Sequence, residues 1–487
     1  MTKKEAEERR RRSLSMRERR RLSLSMRLFL RQRCFARTAS PFSITATLPP
    51  PTAAAGPDLR SHLFNKWDTS CATRNGEINV CVGYVAVHSM MQPLCRHVAV
   101  IGAAGLVAAR ELRREGHNVV ILERGDQIGG TWVYTDPNGS VVHSSMYQSL
   151  RTNLPREIMG FREYPFMAKE EFGIRETVRF ESEVVFVGLV EGGKWKVKSK
   201  SKRGEVSEEV YDAVVVCNGH YTEPRISSWQ GKQFHSHNYR TPEPFQDQVV
   251  ILIGSSVSAI EISRDIAGVA KEVHIASRSV ADETMEKKPG YDNMWLHSMI
   301  KSVHEDGSVV FPDGSVVFAD SILHCTGYKY HFPFLETNGV VTVDDNRVGP
   351  LYKHVFPPAL APLLSFVGIP FKVVPFALYE FQSKWIAGIL SNRIALLPEE
   401  EMMEDVQAFY SLQETSNIPK RFTHMMDNYQ CGCPASEEWR QQMWVATFKN
   451  ARLRGTLYRE EWDDHQLILQ AHEDFRKYTL NGVSMDK

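Results

Sequence analysis

At 487 residues the chain exceeds one ordinary core, so two domains with extensions are expected. A hydrophobic fraction of 42% with 10% aromatic residues is that of a globular enzyme, and a formal net charge of +1 excludes a nucleic-acid-binding surface over the whole molecule. The eight cysteines are scattered, with Cys431-Gly-Cys433 the only close pair, so there is neither zinc-ligand spacing nor a CxxC redox motif, no metal site is expected, and a reducing, cytoplasmic setting suits the pattern.

Residues 1 to 33 are low in complexity, and Arg12-Ser-Leu-Ser-Met-Arg17 recurs as Arg21-Leu-Ser-Leu-Ser-Met-Arg27. Two readings stand. Organellar targeting fits the Arg and Ser content and the lack of acidic residues between Glu18 and Asp58, whereas Glu5, Glu7, Glu8 and Glu18 fit a solvated extension. Pro49-Pro-Pro51 and Ala53-Ala-Ala55 continue as a linker, so 1–95 reads as an extension, and the folded pattern begins near Arg96.

The first folded unit opens with His97-Val-Ala-Val-Ile-Gly-Ala-Ala-Gly105: a strand, a loop of small residues, then a helical pattern over 106–115 and a strand over 118–123. A β-rich run, small residues and a helix are how a Rossmann unit aims backbone N–H groups and a helix N-terminus at a pyrophosphate. Glu123, about 20 residues after the first glycine, ends the second strand where a ribose hydroxyl is normally held. Alternating stretches over 184–190 and 195–197 suggest a β-meander, and Asp212-Ala-Val-Val-Val-Cys-Asn-Gly219 closes the unit. The second unit repeats the plan. Gln248-Val-Val-Ile-Leu-Ile-Gly-Ser-Ser-Val-Ser-Ala259 opens it, a helix over 259–267 and a strand over 272–276 follow, and Asp320-Ser-Ile-Leu-His-Cys-Thr-Gly327 closes it. Its second strand ends not in an acid but in Ser277-Arg278-Ser279, and an arginine there suits the 2′-phosphate of NADPH. The most apolar window, 357–379, is broken by prolines and Lys372 and fails as a membrane span. The fold class expected is therefore α/β with two Rossmann-like dinucleotide-binding domains. A flavin in one and a nicotinamide in the other would exchange hydride, the flavin handing electrons on.

Several stretches together resemble the flavin-containing monooxygenase family. They are Trp229-x-Gly231-x-x-x-His235-x-x-x-Tyr239, with Trp where the family usually has Phe; Glu123 followed by Gly129-Gly-Thr-Trp132; Tyr147-x-x-Leu-x-Thr-Asn153; and Cys325-Thr-Gly-Tyr328 followed by Phe332-Pro-Phe334. The match covers about residues 96 to 478 and is nearest to the plant branch that includes glucosinolate S-oxygenases. The resemblance implies an FAD domain split between 96–222 and 323–487, with an NADPH domain inserted at 223–322 and a helical C-terminal region. It implies FAD contacts at Gly102, Ala103, Ala104, Gly105, Glu123, Gly130, Thr131, Trp132, Thr152 and Asn153. NADPH contacts would fall on Gly254, Ser255, Ser256, Val257, Ser258 and Ala259, with Arg278 nearby. In the family the reduced flavin captures O2 as a C4a-hydroperoxide, which a soft sulfur or nitrogen nucleophile attacks, so the partners would be O2 and a small sulfide or amine. Asn153 is the catalytic assignment, protecting the oxygenated flavin, while His235 and Tyr239 would shape the domain junction and His324 and Cys325 would pack at a strand end.

Two departures from the family pattern bear on activity. Only Gly102-Ala-Ala-Gly105 stands where Gly-x-Gly-x-x-Gly is expected; if Gly105 keeps its place against the helix, Gly102 becomes the middle glycine and Val100 slips into the first. After Pro165-Phe-Met-Ala-Lys169 a family element is missing before Phe172-Gly-Ile174, with shorter losses near Ile226-Ser-Ser-Trp229 and before Cys431. A divergent enzyme and a degenerate, non-catalytic homologue impaired in FAD binding both remain open. A disulfide reductase would need a paired redox cysteine, and an interaction protein using the Arg-rich leader is opposed by that leader's mixed charge.

Overall fold

The computed structural model describes residues 94–102, 105–135, 144–161, 174–226, 232–426, 437–454, 458–459 and 464–482. These lie in one compact unit, Met91–Lys487. The N-terminal extension, Ala103, Ala104, the region after Pro165, the Trp229 and Gly231 part of the fingerprint and the stretch before Cys431 fall outside them.

Val98, Ala99, Val100 and Ile101 are all buried, so strand β1 (His97–Ile101) is covered on both faces, as a strand inside a parallel sheet must be. Helix α1 (Gly105–Arg114) follows. It ends where Gly116 takes φ +85 and His117 N–H bonds back to the Leu112 carbonyl at 3.0 Å, with Arg113 and Arg114 in the last turn beside the negative end of the helix dipole. The chain then adds β2 (Asn118–Leu122), β3 (Val178–Arg179), an antiparallel meander β4 (Ser182–Val190), β5 (Lys194–Ser201) and β6 (Val206–Tyr211), and β7 (Ala213–Val216). Further along come β8 (Gln233–His235), β9 (Val249–Ile253), α2 (Val257–Ala267), β10 (Glu272–Ala276), β11 (Met285–Lys287), β12 (Met294–His297), β13 (Ser321–His324) and β14 (Leu364–Phe366).

The first sheet runs β14-β7-β1-β2-β3, entirely parallel. Alternation along β1 divides its two cores. Val98 and Val100 face Ala108, Leu112 and the helix α3 (Pro375–Leu390), whereas Ala99 and Ile101 face the meander through Val187, Trp195, Val197 and Tyr211. The second sheet runs β11-β12-β10-β9-β13-β8, parallel except for the β11–β12 pair. Ala259, Ile262 and Ile266 of α2 cover one face, and Val309 of a small antiparallel sheet with Phe311 just beyond its strand covers the other. All its strands, 233–324 in the chain, lie between β7 and β14 of the first sheet, so one sheet is inserted within the other in sequence. Helices α4 (Glu399–Thr415), α5 (Glu438–Arg454) and α6 (His465–Gly482) follow; Trp439 and Met443 of α5 and Phe475 of α6 close over Ile158. The apolar window 357–379 supplies β14 and the start of α3, and no helix of the described residues is long and apolar enough to cross a membrane.

Candidate active site

The two units open with the same geometry. Gly102 follows β1 with φ +96 and donates its N–H to the Leu122 carbonyl at 3.0 Å; Gly254 follows β9 with φ +115 and donates to Ala276 at 2.8 Å. A Cβ on Gly102 would lie 2.6 Å from the Cys217 carbonyl oxygen, and one on Gly254 2.5 Å from that of Cys325, so both positions exclude any side chain. The closing sequences are legible in these terms. Asp212 accepts the His97 N–H at 2.7 Å and Asp320 accepts the Val249 N–H at 2.8 Å, pinning the start of each opening strand, while Cys217 and Cys325 sit buried beneath the glycines. Burial pushes the Cys325 thiol up to about 12 and raises that of Cys217 as well, so both are packing residues rather than redox groups.

The expected slip of Val100 into the first-glycine place does not occur. Val100 stays within β1, paired with Ile121 and Val215 and fully buried, and Gly102 holds the position equivalent to Gly254. The shortening falls instead between strand and helix. In the second unit four residues lie between Gly254 and Ala259, the first buried residue of α2; in the first, two lie between Gly102 and Gly105, whose added Cβ would stand 2.1 Å from Val100 Cγ1. Parallel pairing on both sides fixes β1, because sliding it would break two ladders at once, whereas a loop can lose residues without disturbing either. The cost appears at the helix N-terminus, where the Gly105 N–H is already taken by the Gly102 carbonyl at 2.9 Å.

Around this first loop, Glu123 is buried at the end of β2, and its Oε1 accepts the Gly125 N–H at 2.8 Å. Gly130, Thr131 and Trp132 form a single turn entered through Gly129 (φ 138) and Gly130 (φ 53), with Trp132 about half exposed and the Thr131 carbonyl held by Ser144 Oγ at 3.0 Å. At the second loop, Ser255, Ser256 and Val257 are exposed, Ser258 is half-buried, and α2 begins at Val257, two residues before the sequence expectation, with no side chain capping it. Ser277 Oγ donates to Ser255 Oγ at 2.7 Å, tying this loop to the turn that carries Arg278, which is exposed and has no partner among the described residues.

The family described as flavin-binding monooxygenase-like matches residues 168–294 and 291–430, and an NAD(P)-binding Rossmann-like domain matches 102–155. Flavin-containing monooxygenase FMO GS-OX-like 4 of Arabidopsis thaliana is 57% identical, over 79% of this chain and 98% of that protein. The chain belongs to the flavin-containing monooxygenase family. Another relative, FMO GS-OX5 of Arabidopsis thaliana, is 52% identical over 79% of this chain and 95% of that protein. Among solved structures, S-allyl-L-cysteine S-oxygenase from Allium sativum is 57% identical, with a TM-score of 0.74 over 79% of this chain and 99% of that one. Tmm from Pelagibacter sp., 22% identical with a TM-score of 0.58, shares the fold.

FAD and NADPH are the cofactors of a flavin-containing monooxygenase with these two domains. The residues present fit both: a side-chain-free approach at Gly254 with an uncapped helix start behind it suits a pyrophosphate, and Gly102 with Glu123 reproduces the strand-end frame on the other side. Thr152 and Asn153 are exposed and lie beside α2 rather than in the first loop; Arg459 Nε donates to the Thr152 carbonyl at 3.0 Å, and Tyr458 OH to that of Asn153 at 3.3 Å. His235 Nε2 bonds the Gly327 carbonyl at 2.9 Å at the end of the second closing segment, while Tyr239 packs in the core of the second sheet. Arg240 escaped the sequence reading. Its buried guanidinium donates to the carbonyls of Thr135, Ser144, His237 and Tyr239 at 2.7–2.9 Å, drawing the turn after Trp132 against the fingerprint; the one sequence signal was its place directly after Tyr239. Arg459 had no local signal at all.

Proposed function

We propose that this flavin-containing monooxygenase oxygenates the sulfur of small thioethers, with the nitrogen of soft amines as the same chemistry on a second substrate class. The observation that supports it most is the 57% identity to an S-allyl-L-cysteine S-oxygenase across 99% of that chain, carried on two intact strand–glycine–carbonyl frames. The balance is NADPH, a proton, O2 and sulfide to NADP+, water and sulfoxide. FAD, when bound, supplies the two-electron chemistry that joins NADPH to O2. The protein's own residues bind and exclude. Gly254 and the N-terminus of α2 take the nicotinamide pyrophosphate, Arg278 grips the 2′-phosphate, Glu123 holds a ribose hydroxyl, and the Asn153 amide hydrogen-bonds at the reacting face, so that O2 reduction ends in sulfoxide rather than H2O2. We take 96–222 and 323–487 as the FAD domain and 223–322 as the NADPH domain, which the sheet order supports. The scattered cysteine spacing supports a reducing, cytoplasmic setting. Purified protein supplied with FAD, NADPH and an alkyl thioether should form sulfoxide in proportion to NADPH consumed; NADPH oxidation without sulfoxide or N-oxide would overturn the assignment.

A second reading, a homologue impaired in holding FAD, is favoured by the three-residue step from Gly102 to Gly105. The alignment to the Arabidopsis relative runs over 441 residues yet takes in 79% of this chain, and 79% of 487 residues is about 385, which supports internal losses. The absorption spectrum separates the readings: bound oxidised flavin supports the oxygenase, and a colourless folded protein that FAD cannot reconstitute supports the second.

A further inference from the structure

The segment that carries Asn153 is fastened to the helix whose N-terminus faces the nicotinamide dinucleotide. Glu261 and Asp265 stand one turn apart on the same face of α2, and each holds part of this segment. Asp265 Oδ2 accepts from Ser149 Oγ at 2.7 Å and from the Tyr239 hydroxyl. Glu261 is gripped in bidentate fashion by Arg459, Nη2 to Oε1 at 2.8 Å and Nη1 to Oε2 at 3.2 Å, while Arg459 Nε reaches the Thr152 carbonyl. Both charged side chains are largely withdrawn from water, at 12% and 17% exposure, so the pair is short, shielded and directional rather than a loose surface contact. Tyr458 adds a second tie, to the Asn153 carbonyl. One guanidinium thus joins three pieces distant in sequence: the C-terminal region, the Thr152 and Asn153 backbone, and α2.

We propose that Arg459 is a positioning residue that couples dinucleotide occupancy at the N-terminus of α2 to the placement of Thr152 and Asn153. The coupling rests on the assignment of NADPH to Gly254–Val257 made above. When the pyrophosphate fixes the first turn of α2, Glu261 one turn further on is fixed with it, and Arg459 carries that constraint to the Thr152 carbonyl, so Asn153 is in place only when the nicotinamide is. A lysine cannot reproduce this, since a single ammonium lacks the planar fork that meets two carboxylate oxygens and a carbonyl together.

Hydrogen exchange read by mass spectrometry on FAD-supplied protein, with and without NADP+, tests the coupling. In the unaltered chain NADP+ slows exchange at 254–257 and also at Thr152 and Asn153. In Arg459→Ala the protection at 254–257 remains while that at Thr152 and Asn153 falls by about ten-fold. Glu261→Gln, which leaves the Arg459–Thr152 bond intact, moves the same amides in the same direction, and Arg459→Lys gives an intermediate value. In turnover, Arg459→Ala leaves the KM for NADPH nearly unchanged while diverting electrons from sulfoxide to H2O2. Equal protection of Thr152 and Asn153 in the unaltered chain and in Glu261→Gln overturns the proposal, and this variant decides the matter if Arg459→Ala fails to fold. Calorimetry with NADP+ reports separately on the dinucleotide assignment. A chain that binds no NADP+ overturns that assignment, and ligand-free exchange at Thr152 in Glu261→Gln then decides whether α2 holds the segment at all.

Discussion

Arg278 stands exposed at the end of β10, one residue beyond the Ser277 hydroxyl that anchors the Gly254 loop, and no carboxylate among the described residues competes for it. On the proposed placement of the nicotinamide cofactor, a guanidinium here would meet only the form that carries a 2′-phosphate. Arg278→Ala should weaken NADPH by about 10-fold or more, the value of a charge-assisted hydrogen bond or two, and leave NADH nearly unchanged; titration with both cofactors checks this, and equal losses would reject it. Asn153→Ser should keep NADPH oxidation measurable while shifting product from sulfoxide to H2O2. Unchanged coupling with only a higher KM for the sulfide would make Asn153 a ground-state contact instead. At Gly254 the argument is steric. Alanine there would need both a positive φ and a Cβ 2.5 Å from a carbonyl oxygen, so Gly254→Ala should cost on the order of 1–3 kcal/mol of strain, visible as a lower Tm together with lost NADP+ binding.

Between strand and helix the first unit is short by two residues relative to the second, and the deficit falls on backbone N–H groups rather than on the sheet. Inserting Ala-Gly between Gly102 and Ala103 should lengthen the step to match Gly254–Ala259 and return donors to the pyrophosphate. One such donor is worth about 1.5–3 kcal/mol when its acceptor is charged, so calorimetry should show FAD affinity rising about ten-fold. Equal affinity before and after insertion would mean that the short loop is a working variant. Elements built from local pattern were legible in the sequence. Both opening strands, both helices and the two closing strands follow from β-branched runs, small-residue loops and 3.6-residue periodicity, with helix starts displaced by one or two residues because the caps are Gly and Ser loops without side-chain bonds. The recurrence of Asp and Cys in the closing sequences was visible, but not its reason, since Asp212 meets His97 and Asp320 meets Val249 only once the sheet has formed. The misplaced Val100 came from judging the loop without knowing that β1 is locked between two parallel partners. Arg240 and Arg459 were illegible for a plainer cause: Arg240 acts through backbone carbonyls, which carry no signature in side-chain identity, and Arg459 meets a carbonyl and a carboxylate that lie far from it in the chain.

Across the molecule, burial holds a set of histidines neutral. His220, His235, His297 and His354 are each pushed down to about 4 by loss of solvent, and His424, 3.0 Å from His354, is held well below its usual value by the same cause. An unfolded chain takes up these protons near pH 6.5 and the folded chain only near pH 4, so unfolding binds protons in that window and stability falls as pH is lowered through it. His235 and His297, at 1% and 0% exposure, would each withdraw on the order of 3 kcal/mol by about pH 4. The Tm should therefore fall steeply below about pH 6. A Tm that stays level down to about pH 4 would show that these sites relax and hydrate instead.

The pairing of Leu364 with Val214 has a consequence for synthesis. The second sheet is contiguous in the chain and can close as soon as residue 324 has emerged, but the first waits for a strand roughly 150 residues downstream of its neighbour, at a loop-closure cost that grows with that separation. A ribosome that stops between His324 and Leu364 would release a product with its second sheet, the proposed nicotinamide half, finished and the β7 edge bare, a row of unpaired N–H and C=O groups ready to recruit another strand. Truncated transcripts of this gene should accordingly yield aggregates that still bind NADP+, not inert fragments.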